Sequence, residues 1–145
     1  MEKITGKILL VDDQPYEELL LKEALASIDR FTDVEYIADP KEALIHLKEN
    51  RDEIFLIISD INMPGMNGLE FKREIEKDRY LREKSIPFVF FSSDASNKTV
   101  KKAYSHSVQG YFKKAETIEA QGELLKIIFK YWASCLHPIM GIKED

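Results

Sequence analysis

The sequence predicts an α/β domain built on a doubly wound parallel sheet. Short apolar runs alternate with longer segments of helical period, and five such pairs follow one another along the 145 residues. Runs such as FVFF at 88–91 are apolar at every position, which is typical of central strands covered by helices on both faces. A chain of this length is the usual size of one domain, so we expect a single folded unit.

The first two strand and helix pairs are predicted from short apolar runs and from prolines. The strand Lys7–Val11 ends at an acidic pair, and the helix Pro15–Ile28 follows it. Proline is tolerated at a helix start because the backbone N–H that it lacks has no partner there. The strand Val34–Ile37 is likewise followed by a helix that begins at a proline, Pro40–Glu49. A polar residue able to cap the first turn precedes each proline.

The next two pairs contain the most continuously apolar strands. These strands are Ile54–Ser59 and Pro87–Phe91, and we place them at the centre of the sheet. The helix Leu69–Lys77 follows the first of them, and the helix Asn97–Ser107 follows the second. Between these pairs the segment DRYLREKS, 78–85, is charged and is predicted to be a surface connection.

The last pair consists of the strand Gly110–Phe112 and the longest helix, Thr117–Leu136. The apolar residues of this helix cover an arc of about 200°, whereas packing on one side requires roughly 100°. We predict that the side formed by Leu124, Ile127 and Tyr131 contributes to a homodimer or docks a partner. The equally supported alternative is that neighbouring helices and the chain end cover it.

Composition excludes several classes of function. The net charge of −5 and the pI near 5.3 argue against general binding to nucleic acid or to anionic membranes. The single cysteine, Cys135, cannot form an internal disulfide, and the three histidines are not arranged with it at zinc spacing. No stretch approaches the roughly 18 apolar residues of a membrane span, and no signal peptide is recognised. We expect a cytoplasmic protein.

Polar side chains lie where the predicted strands end. Asp12 and Asp13 follow the first strand, Asp60 the third and Ser92 the fourth, and Lys114 comes shortly after the last. Ligands of doubly wound sheets bind at the carboxyl ends of the strands, near the point where the strand order reverses. We therefore expect these side chains to form one site.

The three carboxylates of this site predict either bound protons or a bound cation. Two negative charges about 4 Å apart repel by about 4 kcal/mol at an effective dielectric near 20. Oxygen ligands without thiolates favour Mg²⁺, which also accepts phosphoryl oxygens, so a phosphoryl-transfer site is indicated. The structural alternatives are that Asp12 and Asp13 cap the first helix and that Asp60 forms a turn.

Four motifs together resemble the receiver domain of bacterial response regulators. They are ILLVDDQP at 8–15, IISDINMPGMNG at 57–68, VFFSSD at 89–94 and GYFKK at 110–114. The resemblance covers residues 6 to about 136 and implies a flavodoxin-like fold with strand order 2-1-3-4-5 and five flanking helices. The domain would then span residues 1–137, and 138–145 would be a loose C-terminal tail.

The resemblance implies a magnesium site. Asp13 would bind Mg²⁺ directly, and Asp12 would bind it directly or through a water. Asp60 would be a further carboxylate ligand, and the backbone carbonyl of Asn62 would complete the protein's contribution. The loop of Pro64, Gly65 and Gly68 would let the chain fold around the ion instead of continuing as a strand.

The resemblance also implies the phosphoryl chemistry. Asp60 would accept a phosphoryl group from a phosphohistidine and form an aspartyl phosphate. Lys114 would bring a positive charge to the phosphoryl oxygens, and Ser92 would donate its hydroxyl to them. Tyr111 would be the aromatic switch residue that turns inward when Ser92 moves, although it is also interpretable as an edge-strand aromatic packed for stability.

The motifs leave two role assignments and the geometry of one peptide bond undecided. Ser93 competes with Ser92 for the role of the hydroxyl donor, and Lys113 competes with Lys114 for that of the cation. Proline usually follows the lysine in the family, in a cis peptide, but Ala115 stands here. A cis bond before alanine costs about 2.5–4 kcal/mol, so either strain is stored or the peptide is trans.

The predicted function is that of a stand-alone receiver that catalyses only its own phosphorylation and dephosphorylation. A histidine kinase or a phosphotransfer protein would phosphorylate it, and it would signal by contact with a downstream protein. The first alternative is a pseudo-receiver, an interaction module that works without phosphorylation. An aspartate-based phosphatase or nucleotide enzyme ranks last, because Asn62 replaces the second acid of such phosphatases and no phosphate-binding glycine motif occurs.

Overall fold

A five-stranded parallel sheet forms the centre of the molecule in the computed structural model, which describes residues 6–27, 33–49 and 53–139. The strands are β1 (Lys7–Val11), β2 (Asp33–Ile37), β3 (Ile54–Ser59), β4 (Phe88–Ser92) and β5 (Gly110–Lys113). Their order is β2-β1-β3-β4-β5, and each neighbouring pair is parallel. The predicted fold class and strand order are confirmed.

The described residues contain six helices, one more than predicted. They are α1 (Tyr16–Ala26), α2 (Pro40–Glu49), α3 (Gly68–Lys77), α4 (Arg79–Lys84), α5 (Asn97–Tyr104) and α6 (Ile118–Ser134). The charged segment 78–85, predicted to be a surface connection, contains α4. Asp78 caps this helix by accepting the backbone N–H of Leu81 at 3.0 Å, and Leu81 is only 2% exposed. One cap and one buried leucine therefore hold an otherwise charged turn as a helix.

Two predicted helices begin too early because their capping residues were included. Pro15 and Thr117 are the N-cap residues of α1 and α6. The Thr117 hydroxyl accepts the backbone N–H of Ala120 at 3.1 Å, which is the usual contact of an N-cap. At the other end, α5 stops at Tyr104, short of the predicted Ser107. The predicted end of the first helix, Ile28, lies outside the described residues.

Helices cover both faces of the sheet and bury an apolar cluster on each. Alternate strand residues point to opposite faces, so Leu9 and Phe90 lie in one cluster, and Leu10 and Phe91 in the other. The first cluster packs against α2, α3, α4 and α5. The second packs against α1 and α6. All six residues of β3 are buried, as expected of a strand at the centre of such a sheet.

The wide apolar arc of the last helix divides into a packed part and an exposed part. Leu124 packs against the second cluster beside the fully buried Phe129. Ile127 and Tyr131 are 59% and 61% exposed. Within the described residues, the core thus accounts for part of the arc, and the predicted homodimer or docking contact stays a prediction for the remainder. No described helix combines the length and apolar content of a membrane span.

His137 fixes the chain that follows α6. Its ring stacks on Phe55 with centroids 4.6 Å apart, and its Nε2 donates to the Phe55 carbonyl at 2.6 Å. Its Nδ1 accepts the backbone N–H of Ile139 at 3.0 Å, so the neutral imidazole has a partner at both nitrogens. Burial lowers the pKa of His137 below 6.5. Of the predicted loose tail, 138–145, residues 140–145 lie outside the described residues.

Replacing His137 by phenylalanine is expected to lower the free energy of unfolding by about 1–3 kcal/mol at pH 8, because the buried Phe55 carbonyl and the partly buried Ile139 N–H lose their hydrogen-bond partner. The contribution of a histidine with a lowered folded pKa is complete above pH 6.5 and is lost as pH falls through that lowered pKa. The difference between wild type and variant should therefore shrink at pH 5. Urea unfolding at both pH values measures it. Leu136→Ala, at a residue 79% exposed, is the control. A difference that grows at pH 5 contradicts this account.

Candidate functional site

The parallel register brings the ends of the central strands to one edge of the sheet. Val11 pairs with Ser59, so Asp12 and Asp60 leave the sheet side by side. Asp60 also donates its backbone N–H to the Val11 carbonyl at 3.0 Å. The strand order reverses between β1 and β3, which is the position where such sheets bind ligands.

Three carboxylates cluster at this edge as predicted. One oxygen from each of Asp12, Asp13 and Asp60 lies within 4.8 Å of the others. Asp12 and Asp60 are buried, and Asp13 is half-buried. The three donors are hard oxygen atoms from two neighbouring strand ends, and such a set fits a divalent cation of the Mg²⁺ type. The cluster can therefore hold a metal ion.

The loop after Asp60 folds back against that residue's own backbone. Gly68 donates its N–H to the Ile61 carbonyl at 2.8 Å, and a Cβ at Gly68 would lie 2.1 Å from the Asp60 carbonyl oxygen. Only glycine fits such an approach. Gly65 has a φ of +75°, which also favours glycine. Asn62 lies in this loop and is exposed.

Lys114 is the cation of the site. Its Nζ lies 2.9 Å from Asp12 Oδ2 and 3.2 Å from Asp60 Oδ2. The backbone N–H of Lys114 donates to the Ser92 carbonyl at 2.9 Å, which aligns the chain for this reach. No peptide bond among the described residues is cis, so Lys114 reaches the carboxylates through a trans bond to Ala115. Lys113 is exposed, which favours Lys114 as the lysine of the site.

Burial and ion pairing shift the pKa values of Asp12 and Lys114 in opposite directions. Burial raises the pKa of Asp12 from 3.8 to about 6, although the contact with Lys114 and the backbone N–H of Gln14 oppose the rise. Burial alone would lower the pKa of Lys114, but its hydrogen bond to Asp12 and the surrounding carboxylates raise it above the ordinary value. The Lys114 ammonium therefore stays charged, and the pKa of the Asp12 carboxyl lies at about 6.

Two buried residues that sequence reasoning missed join the site. Glu17 on α1 places Oε2 3.4 Å from Lys114 Nζ. Gln121 on α6 donates Nε2–H to Glu17 Oε1 at 3.1 Å and accepts the backbone N–H of Ala115 at 2.8 Å. In the sequence, Glu17 resembles an ordinary acid in a first helical turn. The available signal was Ala115, since a residue other than proline brings an N–H that needs an acceptor.

Ser92 and Tyr111 converge on the loop after β4. Ser92 is fully buried, and its hydroxyl accepts the backbone N–H of Asp94 at 3.2 Å. The Tyr111 hydroxyl donates to the Asp94 carbonyl, and its ring lies 6.0 Å from that of Phe90. Ser93 is exposed, which favours Ser92 as the serine of the site. The two predicted switch residues thus hold the same loop residue.

Comparisons with known proteins agree on one family. The family model described as the response regulator receiver domain matches residues 8–128. The chemotaxis protein CheY-3 of Vibrio cholerae is 30% identical over 124 residues, which cover 86% of this chain and 92% of that protein. The probable methanogenesis regulatory protein FilR2 of Methanothrix harundinacea is 27% identical over 129 residues, 86% of this chain and 82% of that protein.

Solved structures give the same result. The crystal structure of the phosphorylated cyanobacterial phytochrome response regulator RcpA superposes with a TM-score of 0.82 at 29% identity. The match covers 90% of this chain and 96% of that one. The response regulator from Hahella chejuensis superposes with a TM-score of 0.80 at 22% identity and covers 92% and 98% of the two chains, which supports the fold.

Proposed function

Because the chain belongs to the response regulator receiver family, we propose that it is a phosphorylation-dependent switch whose phosphoacceptor is Asp60. Receiver domains are signalling proteins and not enzymes in the usual sense. The observation that carries the proposal is the position of Lys114, whose ammonium contacts both Asp60 and Asp12 inside a carboxylate cluster. That arrangement combines a nucleophile, a fixed cation and donors for a metal ion.

The carboxylates of Asp12, Asp13 and Asp60 would hold Mg²⁺, with the backbone carbonyl of Asn62 as a further ligand. When bound, the ion supplies positive charge that offsets the negative phosphoryl oxygens. The chain itself contributes the rigidity of the site, because β1 and β3 fix the two buried carboxylates before any ligand arrives. The glycine-containing loop would bring the backbone carbonyl of Asn62 toward them.

Asp60 would be the nucleophile, and a neighbouring group fixes each of its carboxylate oxygens. Its Oδ1 accepts the backbone N–H of Ile61 at 2.7 Å, and its Oδ2 faces Lys114 at 3.2 Å. A carboxylate oxygen would bond to phosphorus while the bond from phosphorus to the donor's imidazole nitrogen breaks, and the nitrogen keeps the electron pair. The Lys114 ammonium would then stabilise the negative charge on the oxygens of the transferred phosphoryl group.

The switch would run through the loop after β4. A phosphoryl group adds about −1.5 to −2 charge and three acceptor oxygens. The Ser92 hydroxyl, which now accepts from Asp94, would turn to donate to the new group. Asp94 bonds to both Ser92 and Tyr111, so movement of Ser92 would also break the contact between Tyr111 and Asp94. The output surface would be α5, β5 and α6.

The partners follow from this chemistry. A histidine kinase or a phosphotransfer protein would supply the phosphoryl group, and a downstream protein would recognise the output surface. Ile127 and Tyr131 on α6 offer an exposed apolar contact for that partner or for a homodimer. The negative net charge argues against nucleic acid and membrane partners, and a cytoplasmic location fits a kinase donor.

Beryllofluoride with Mg²⁺, a mimic of the phosphoryl group, tests the proposal. We expect amide chemical shifts to change across residues 92–115 and to reach α6. Asp60→Asn should show no such change, because the mimic has no carboxylate to bind. Unchanged shifts in the wild type would contradict the switch and favour the pseudo-receiver, which is expected to bind its partner equally in both states.

A further inference from the structure

We propose that Glu17 and Gln121 are positioning residues that hold Lys114 at the carboxylate cluster. The inference rests on the proposed function, in which Lys114 meets the phosphoryl group. Neither residue touches the reacting atoms. Both act through the lysine, from the two helices α1 and α6 that pack on the same face of the sheet.

The contacts form a closed ring that begins and ends at two adjacent residues. The backbone N–H of Ala115 donates to Gln121 Oε1 at 2.8 Å, and Gln121 Nε2 donates to Glu17 Oε1 at 3.1 Å. Glu17 Oε2 then pairs with Lys114 Nζ at 3.4 Å. The ring thus holds the lysine at its ammonium and at the peptide that follows it.

Only one orientation of Gln121 satisfies the ring. An N–H donor on one side requires the amide oxygen, and a carboxylate on the other requires the amide nitrogen. Both polar ends of Gln121 and both oxygens of Glu17 are therefore used. The order of donors and acceptors leads from the Ala115 backbone to the Lys114 side chain without a mismatch.

Burial makes the ring stiff. Gln121 is 3% exposed and Glu17 is 5% exposed, so water does not readily replace a lost contact. A buried carboxylate without partners is strongly unfavourable, which keeps Glu17 on Lys114 and Gln121. The backbone N–H at Ala115 is essential to the ring, and any residue except proline supplies it.

The carboxylates of Asp12, Glu17 and Asp60 contact Lys114 at unequal distances. Glu17 makes the longest contact, at 3.4 Å against 2.9 Å for Asp12 and 3.2 Å for Asp60. Asp12 and Asp60 therefore make the closer ion pairs, and Glu17 would help to hold the ammonium in position for them. Gln121 acts on the lysine from two sides, through Glu17 and through the Ala115 peptide, so its removal should have the larger effect.

The rate of phosphorylation by acetyl phosphate at saturating Mg²⁺ tests the ring. Gln121→Met, which conserves volume and charge, should slow the reaction about tenfold, because misplaced catalytic groups cost that much or more. Glu17→Gln should slow it about threefold. Glu18→Gln is the matched control, since Glu18 lies one residue away and pairs with Lys22 at 2.9 Å. That control should react at the wild-type rate.

The same substitutions in a Lys114→Met background separate positioning from general damage. Residues that act through Lys114 should have no further effect once it is gone, whereas independent effects add. Equal slowing in both backgrounds would overturn the proposal, and so would a wild-type rate for Gln121→Met.

Hydrogen exchange in the metal-free protein gives a readout that needs no phosphorylation. Gln121→Met should accelerate exchange of the Ala115 amide by at least about tenfold, because that amide loses its acceptor. The Lys114 amide, bonded to the Ser92 carbonyl, should keep its protection. An Ala115 amide that remains protected overturns the ring. If the wild type takes up no phosphoryl group while this exchange result holds, the proposed function fails and the ring does not.

Discussion

Lys114→Met is expected to slow phosphoryl uptake at Asp60 by about 10²–10³-fold, the usual loss when a group that stabilises transition-state charge is removed. The ammonium is the one cationic group within 4 Å of Asp60 among the described residues. Its raised pKa keeps it charged throughout the working pH range. Stopped-flow or gel-based measurement of the reaction with acetyl phosphate gives the rate.

The same variant should bind Mg²⁺ more tightly, by about tenfold or more. Lys114 contacts two of the carboxylates that would bind the metal, so a bound ion must share them with an ammonium. Calorimetric titration measures the affinity, and Lys113→Met, at the exposed neighbour, should change neither property. Slower phosphorylation together with weaker metal binding would show that Lys114 supports the fold of the cluster and does not compete with the ion.

Mg²⁺ affinity is expected to fall about tenfold for each pH unit below pH 6 and to level off above about pH 7. The cause is Asp12, whose pKa burial raises to about 6, because the metal binds the ionised carboxylate and must displace the proton. Calorimetry in two buffers of different ionisation enthalpy should detect proton release near pH 6. Asp12→Asn should remove most of that release. Affinity independent of pH between 5 and 7 would contradict the assignment.

The stability of the metal-free protein is expected to change with pH in the direction opposite to that of Mg²⁺ affinity: it falls as pH rises. A carboxylate with a raised folded pKa contributes stability that is complete below its unfolded pKa of 3.8 and is lost as pH rises through about 6. A rise from 3.8 to about 6 corresponds to a loss of about 3 kcal/mol. Comparison with Asp12→Asn isolates this contribution from that of His137. Saturating Mg²⁺ should restore the stability at pH 7.

The fold was predictable where burial dictates residue type. β3 lies between two helix layers, so all six of its residues are buried. The continuous apolar run Ile54–Ile58 predicts such a buried strand. The helix α4 was not predictable in this way, because its one buried residue, Leu81, gives no periodic pattern. Helix ends were misplaced where a cap residue such as Thr117 belongs to the pattern but not to the helix.

The site was predictable as far as it follows from strand ends. Asp12, Asp60 and Lys114 come after strands, and parallel register brings them together. Glu17 and Gln121 lie on different helices, 104 residues apart in sequence. Each is an ordinary residue type for a first helical turn. Their contact depends on how α1 packs against α6, which periodicity does not specify.

The most direct measurement is site-resolved mass spectrometry after incubation with acetyl phosphate and Mg²⁺. The wild type should gain a single phosphoryl group, and fragmentation should place it on Asp60. Asp60→Asn, or the wild type with the metal chelated, should gain none. A wild type that never acquires the group, or one that carries it equally well after Asp60→Asn, would contradict a carboxylate nucleophile in a cation-binding cluster.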